Sequence, residues 1–316
     1  MKIFTKLFLF IVISYSGLFV VNFFYEKKAK KNYIDKPSYI ISFTNENYDY
    51  VVGGSSRVHN NFNSLLFDSI CHLNGFNIGY DGSAMSQNYL TLYLFLKNGN
   101  KTKTYLQQVE DNFLIDPVIG YTHPFYEYFF MSYIGDRNVD ECYKNNVSLL
   151  KFWIWKYIPF IKYAEFNNYY GLKKYFIPSK FDSSILRYKG YSKLEQKHKK
   201  GFPTAKYDDI KKEIPLHQSN IYYLNKIQNL CIKNDIQFVI YSSPLHHQSY
   251  LAYKPDNLHK SLLNYVQLNN IKYYNFMNDE TYNDNLFFYD ETHLNAYGTD
   301  IFTRQLADSL KNILKK

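Results

Sequence analysis

Tyr48-Asp49-Tyr50-Val51-Val52-Gly53-Gly54-Ser55-Ser56-Arg57 reads as a strand running into a turn. Aromatic and β-branched residues, which suit a pleated half-buried surface, give way to four small residues, and the last two of these carry hydroxyls. A β-rich segment that ends in glycine and serine ahead of a helical pattern is the opening unit of an α/β sheet, and the flanking sequence repeats it. Further strands are expected at 76–79, 104–109, 237–243 and 272–276. Helical periodicity is expected at 61–73, 88–97, 220–233, 258–269 and 299–314. This alternation implies an α/β fold with a central parallel sheet and helices on both faces.

In such sheets a ligand binds outside the carboxyl ends of the strands. Ser56, Gly82, the stretch 110–112 and His246 all follow expected strands on that edge. The tail adds chemistry, because Phe287-Phe288-Tyr289-Asp290-Glu291-Thr292-His293-Leu294-Asn295-Ala296-Tyr297-Gly298 sets an acid and an imidazole three residues apart just before a helical run. Serine is a weak nucleophile unless a base lies within hydrogen-bond reach and a third group fixes that base's tautomer. Ser56, His293 and Asp290 can fill those roles; taken alone, the Asp290/His293 pair is as readily an exposed pair near a helix start. A third block, Asn77-Ile78-Gly79-Tyr80-Asp81-Gly82-Ser83-Ala84, has glycines at a strand-to-helix turn. Such a turn lets backbone N–H groups face a ligand, the plain alternative being an ordinary tight turn.

With these blocks in this order the chain resembles the SGNH/GDSL hydrolase superfamily, including its envelope branch of sugar and polymer O-acylation proteins. The family's Gly-x-Ser-x block matches Gly54-Ser55-Ser56-Arg57 and points to Ser56 over Ser55 as the nucleophile. Its Asn-x-x-x-x-Gly block matches Asn77 to Gly82, and its Asp-x-x-His-Leu block matches Asp290, His293 and Leu294. The resemblance covers about residues 45–114 and 216–316. It implies a three-layer flavodoxin-like SGNH fold, an oxyanion hole from the amides of Ser56 and Gly82, and no cofactor or metal. The family's Gly-x-Asn-Asp block has no in-register counterpart here. The corresponding stretch is Gln108-Val109-Glu110-Asp111-Asn112, which leaves Asn112, with Asp111 beside it, as the candidate third donor.

Residues 7–24 are almost wholly apolar between flanking lysines and are about as long as a bilayer is thick. The segment 1–31 is therefore expected to be a signal anchor or transmembrane helix, a cleaved signal peptide at Ser14-Tyr15-Ser16 being the alternative. A polar linker, 32–47, precedes the catalytic domain at 48–316. Lysines are denser after the apolar run than before it, which by the positive-inside rule favours a cytoplasmic body. The resemblance implies the opposite, an extracytoplasmic domain on the bacterial periplasmic or cell-surface side, and that is the expectation adopted.

The chain has 316 residues, ample for a sizeable core with an insertion, and a net charge of +9. Its lysine clusters, at 27–36 and 189–212, lack the aromatic interleaving of a nucleic-acid platform, so no nucleic-acid partner is expected. The three cysteines, Cys71, Cys142 and Cys231, are too widely spaced for a zinc site or a disulfide framework.

The rhythm breaks at about 114–216, read as an aromatic-rich helical insertion. Its run Leu149-Leu150-Lys151-Phe152-Trp153-Ile154-Trp155-Lys156-Tyr157-Ile158-Pro159-Phe160 can face a core, a glycan or a membrane interface, with packing as a cap on the sheet the plain reading. His246 is read first as an exposed loop residue, with a polar wall of the pocket, touching substrate, ahead of a metal ligand as its functional alternative. Arg57 either pairs with a substrate carboxylate or anchors a local one such as Asp81. The expected activity is acyl transfer through acyl-Ser56, to water or to a hydroxyl of an envelope carbohydrate or polymer. The alternative is an inactive protein of the same fold that binds glycan or a protein partner through the aromatic insertion.

Overall fold

Five strands form one wholly parallel sheet: β1 (Asn47–Gly53), β2 (Gly75–Asn77), β3 (Lys101–Gln108), β4 (Gln237–Ser242) and β5 (Lys272–Asn275), in the order β2-β1-β3-β4-β5. This is a doubly wound order, with the chain reversing direction between β1 and β3 and leaving a crevice at their carboxyl ends. Strand alternation sends Tyr50 and Val52 to one face and Val51 to the other, and all three are fully buried. Burial on both faces fits the apolar run Phe238-Val239-Ile240-Tyr241 within β4.

The structure is a computed structural model that describes residues 2–31, 35–109, 128–165, 187–195, 216–247, 249–250, 256–282, 285–290 and 292–314. Its chain divides into two units, one of Met1–Ser42 with Tyr121–Phe181 and one of Phe43–Gly120 with Asp182–Lys316. The sheet belongs to the second.

Within the sheet unit, α3 (Ser56–Asn61), α4 (Ser64–Cys71) and α11 (Ala296–Leu310) pack together over Tyr50, Val52, Leu106, Val239 and Tyr241. In α11 the buried positions Thr299, Phe302, Thr303, Leu306, Ala307 and Leu310 recur at the three- and four-residue spacing of one helix face. Helices α5 (Met85–Lys97) and α9 (Gln218–Lys233) pack against each other, and α10 (Asp256–Leu268) precedes β5. All five strands lie within three residues of their expected bounds at either end. The helix expected over 61–73 is α4, which starts at Ser64 because Asn63 caps it by accepting from the Leu66 amide; α3, just before it, was not expected.

The other unit contains α1 (Lys2–Ala29), α2 (Lys36–Ile41), α6 (Arg137–Asn146), α7 (Leu149–Tyr157) and α8 (Ile161–Glu165). Helix α1 is long and apolar enough to cross a membrane. The three cysteines are free and buried, as small apolar residues are.

Candidate active site

Ser56 is the first residue of α3, directly after the β1 turn. The hydroxyl of Ser55 caps that helix by accepting from the Arg57 amide and also donates to Gln108 Oε1 at 3.4 Å. The two serines therefore separate by role: Ser55 holds the turn to the end of β3, while the Ser56 hydroxyl is directed elsewhere. Glycine is required at this corner. A Cβ on Gly54 would come within 2.5 Å of Val58, and one on Gly79 within 2.6 Å of the same side chain, so the turns after β1 and β2 close on each other only without side chains.

Ser56 Oγ lies 2.7 Å from His293 Nε2. Across the ring, His293 Nδ1 meets both carboxylate oxygens of Asp290 at 2.9 Å. The acid is itself fixed, since Asp290 Oδ1 accepts from the amides of Thr292 and His293 at 2.9 and 2.8 Å. Burial works to raise the Asp290 carboxyl, but the His293 hydrogen bond and charge, with those two amides, outweigh it and hold the group down at about 2. A carboxylate ionised through the neutral range favours a proton on Nδ1, which leaves Nε2 free to accept the serine proton.

Residues from α3 bring the loop and the serine together. Asn61, fully buried, accepts from the Leu294 amide at 3.0 Å and donates to the Thr292 carbonyl at 3.5 Å, so it grips the chain on either side of His293. The carbonyl of Asn60 accepts from Thr299 Oγ1, and its side chain donates to the Ser56 carbonyl. Behind the loop, Phe288 bridges Leu294, and Asn295 caps α11 through the Gly298 amide.

Asn77 donates to the carbonyls of Val58 and Phe62 while its own carbonyl oxygen accepts from the Gly79 amide, which ties the second strand's exit to α3. The turn beyond it is docked on the Gly54 carbonyl, which accepts from the Tyr80 amide and from Ser83 Oγ. Gly82 sits in that turn with φ of +66°, a left-handed conformation that suits glycine. Asp81, also in the turn, accepts from His59 on α3 at 2.9 Å. The candidate third donor, Asn112 with its neighbour Asp111, lies outside the described residues. The described residue at the end of β3 beside Gly54 is Gln108, buried, with its amide nitrogen donating to the Val109 carbonyl.

Arg57 does not face outward beside the nucleophile. It is 2% exposed, and its Nη2 donates to the carbonyls of Ser243 and Pro244 at 2.7 and 2.6 Å, joining α3 to the loop after β4. His246 is likewise buried, edge-on to the Phe288 ring at 5.1 Å, so the loop-exposure reading does not hold. Sequence reasoning missed the part played by Asn61; the signal available was a run of polar residues, His59-Asn60-Asn61, on a segment that must cover the sheet. Among the described residues no three His, Cys, Asp or Glu side chains converge as a metal-ligating group.

No family model matches the chain, and no curated protein does. Among solved structures it is similar to a presumed acylhydrolase of Bacteroides fragilis, at 10% identity and a TM-score of 0.38, over 83% of this chain and 87% of the other.

Proposed function

We propose that this chain is a serine-dependent acyl-ester hydrolase or O-acyltransferase of the SGNH type, acting on an acylated carbohydrate or polymer of the cell envelope. The observation that carries the reading is the unbroken series from Ser56 Oγ through the His293 ring to Asp290, with contacts of 2.7 and 2.9 Å. A binding protein has no need of such alignment.

In the first half-reaction His293 Nε2 takes the Ser56 proton as Oγ bonds to the ester carbonyl carbon. The carbonyl oxygen becomes an oxyanion, for which the Ser56 amide in the first turn of α3 and the Gly82 amide are the donors. Collapse breaks the bond to the alcohol, which leaves with the proton from His293 and leaves acyl-Ser56. Water or a sugar hydroxyl then gives its proton to His293 and attacks the acyl carbon; the bond from that carbon to Ser56 Oγ breaks, and His293 returns the proton to Oγ. Asp290 stays ionised and holds the ring throughout.

The substrate class and the extracytoplasmic placement follow the resemblance to the envelope branch, with α1 as a retained anchor. Retention is supported by contacts along α1: Asn22 accepts from the Phe160 amide, Glu26 pairs with Lys162, and Ala29 is fully buried. Hydrolysis of p-nitrophenyl acetate by the full chain, with and without added oligosaccharide acceptors, tests the reading. Release of p-nitrophenol that Ser56→Ala abolishes is expected; transfer to the sugar in preference to water identifies a transferase. Equal turnover by Ser56→Ala would remove the proposal.

A further inference from the structure

Helix α7 carries two apolar faces where a helix at a water surface carries one. Its inner face is packed, with Phe152 and Trp155 buried. Its outer face and the turn after it present Leu149, Leu150, Trp153, Tyr157, Ile158 and Ile161, all between 39% and 72% exposed. Apolar surface of this extent needs a covering.

The same unit shows what is beside it. The Tyr15 hydroxyl donates to the Tyr157 carbonyl, the Phe160 amide donates to Asn22, and Lys162 pairs with Glu26. Contacts therefore descend α1 from its polar end at Glu26 to Tyr15, inside the apolar run. At the helical rise of about 1.5 Å per residue, Tyr15 is about 14 Å further along the axis than Phe24, where the run ends. If α1 spans a bilayer, the end of α7 is carried into the same leaflet.

The composition of α7 fits a helix held within a leaflet. Trp153 stacks on Tyr157 at 5.5 Å, so its ring lies beside the residue that α1 carries to that depth. Its lysines are accommodated, because Lys156 pairs with Asp140 and Lys151 with Glu165, while Lys144 stands 5.1 Å over the Trp153 ring. A charge paired in this way is tolerated near acyl chains where a lone one is not.

We propose that α7 is a second membrane contact, lying in the leaflet entered by the C-terminal end of α1, with Leu149, Leu150 and Trp153 against lipid. The inference rests on α1 being a retained, bilayer-spanning anchor.

The chain has two tryptophans, and Trp155 is buried, so Trp153 is its natural reporter. The full chain is reconstituted in phosphatidylcholine–phosphatidylglycerol vesicles containing lipids brominated near the headgroup end of the acyl chain or near its terminal methyl. The difference between wild type and Trp153→Phe isolates the Trp153 emission without disturbing the core. The expected result is a blue-shifted signal that loses about half its intensity to the brominated lipids, at least as much to the deep one as to the shallow one, and little to aqueous acrylamide, as for a side chain within the leaflet. A second reporter, Phe10→Trp in the Trp153→Phe background, read as its difference from Trp153→Phe, reports on α1 alone. Lipid quenching at that reporter with acrylamide quenching at Trp153 overturns the inference and leaves the anchor standing. Acrylamide quenching at both sites removes the anchor reading, and this inference with it.

Discussion

Asn61 Oδ1 accepts the Leu294 amide proton at 3.0 Å, joining α3, which begins with Ser56, to the residue after His293. The site thus depends on a side chain that reacts with nothing. Asn61→Ala leaves a buried amide and a buried carbonyl without their partner, at a cost of about 1–3 kcal/mol in stability. It also lets His293 drift from Ser56, so kcat is expected to fall about tenfold to a hundredfold with KM little changed. Thermal unfolding together with ester-hydrolysis kinetics checks both; a stability loss with unchanged kcat would assign Asn61 to packing alone.

Asp290 sets a pH dependence whose sign follows from its depressed ionisation, at about 2. A carboxyl lower in the folded than in the unfolded chain stabilises the fold above its unfolded value, about 4, and loses that contribution as the pH falls toward 2. The stability gap between wild type and Asp290→Asn is expected to be constant above about pH 5 and to close between about 4 and 2. Activity of Asp290→Asn at neutral pH should fall by on the order of a thousandfold or more, since the amide no longer selects the reactive tautomer. Denaturant titrations at a series of pH values give the first result and initial rates the second; a gap that widens on acidification would contradict the assignment.

Asp81 offers a separation of function from stability. Its side chain is 63% exposed, and its contact with His59 links α3 to the turn that carries Gly82. Asp81→Ala is expected to change stability by no more than about 0.5 kcal/mol, as exposed substitutions do. If Gly82 supplies an oxyanion donor, the loosened turn lowers kcat about tenfold without raising KM. Kinetics of this variant beside Gly82→Ala measure it, and full activity in both would place the oxyanion elsewhere.

Arg57 is expected to behave as a buried tie and not as a substrate ligand. Arg57→Met leaves the Ser243 and Pro244 carbonyls without their donor and should cost about 2–3 kcal/mol, read as a fall in unfolding temperature. KM should be no more sensitive to a negative charge on the substrate than in wild type. A selective rise in KM for anionic esters, with stability intact, would return Arg57 to the binding surface.

Much of this architecture was readable from local pattern. Val51-Val52-Gly53-Gly54 announces a buried strand and a tight exit because β-branched residues and glycines act locally. The strand order was not readable, since pairing β1 with both β2 and β3 is a non-local choice. Helix α3 escaped notice for a related reason: its residues, Ser56-Arg57-Val58-His59-Asn60-Asn61, are weak helix formers, and tertiary contacts to Leu294, Thr299 and Asn77 hold them. Arg57 misled because a cation beside a nucleophile resembles a ligand, while its two carbonyl partners lie 186 and 187 residues away. The exposed outer face of α7 was visible only as aromatic periodicity, which a packed core produces equally well.

The most direct test of the account is the site of covalent capture. The full chain in detergent is treated with a serine-directed fluorophosphonate, digested, and the modified peptide sequenced by mass spectrometry. The account predicts one adduct on Ser56, none on Ser55, and loss of labelling in His293→Ala and in Ser56→Ala. An adduct on another residue, or labelling of Ser56→Ala equal to wild type, would contradict it.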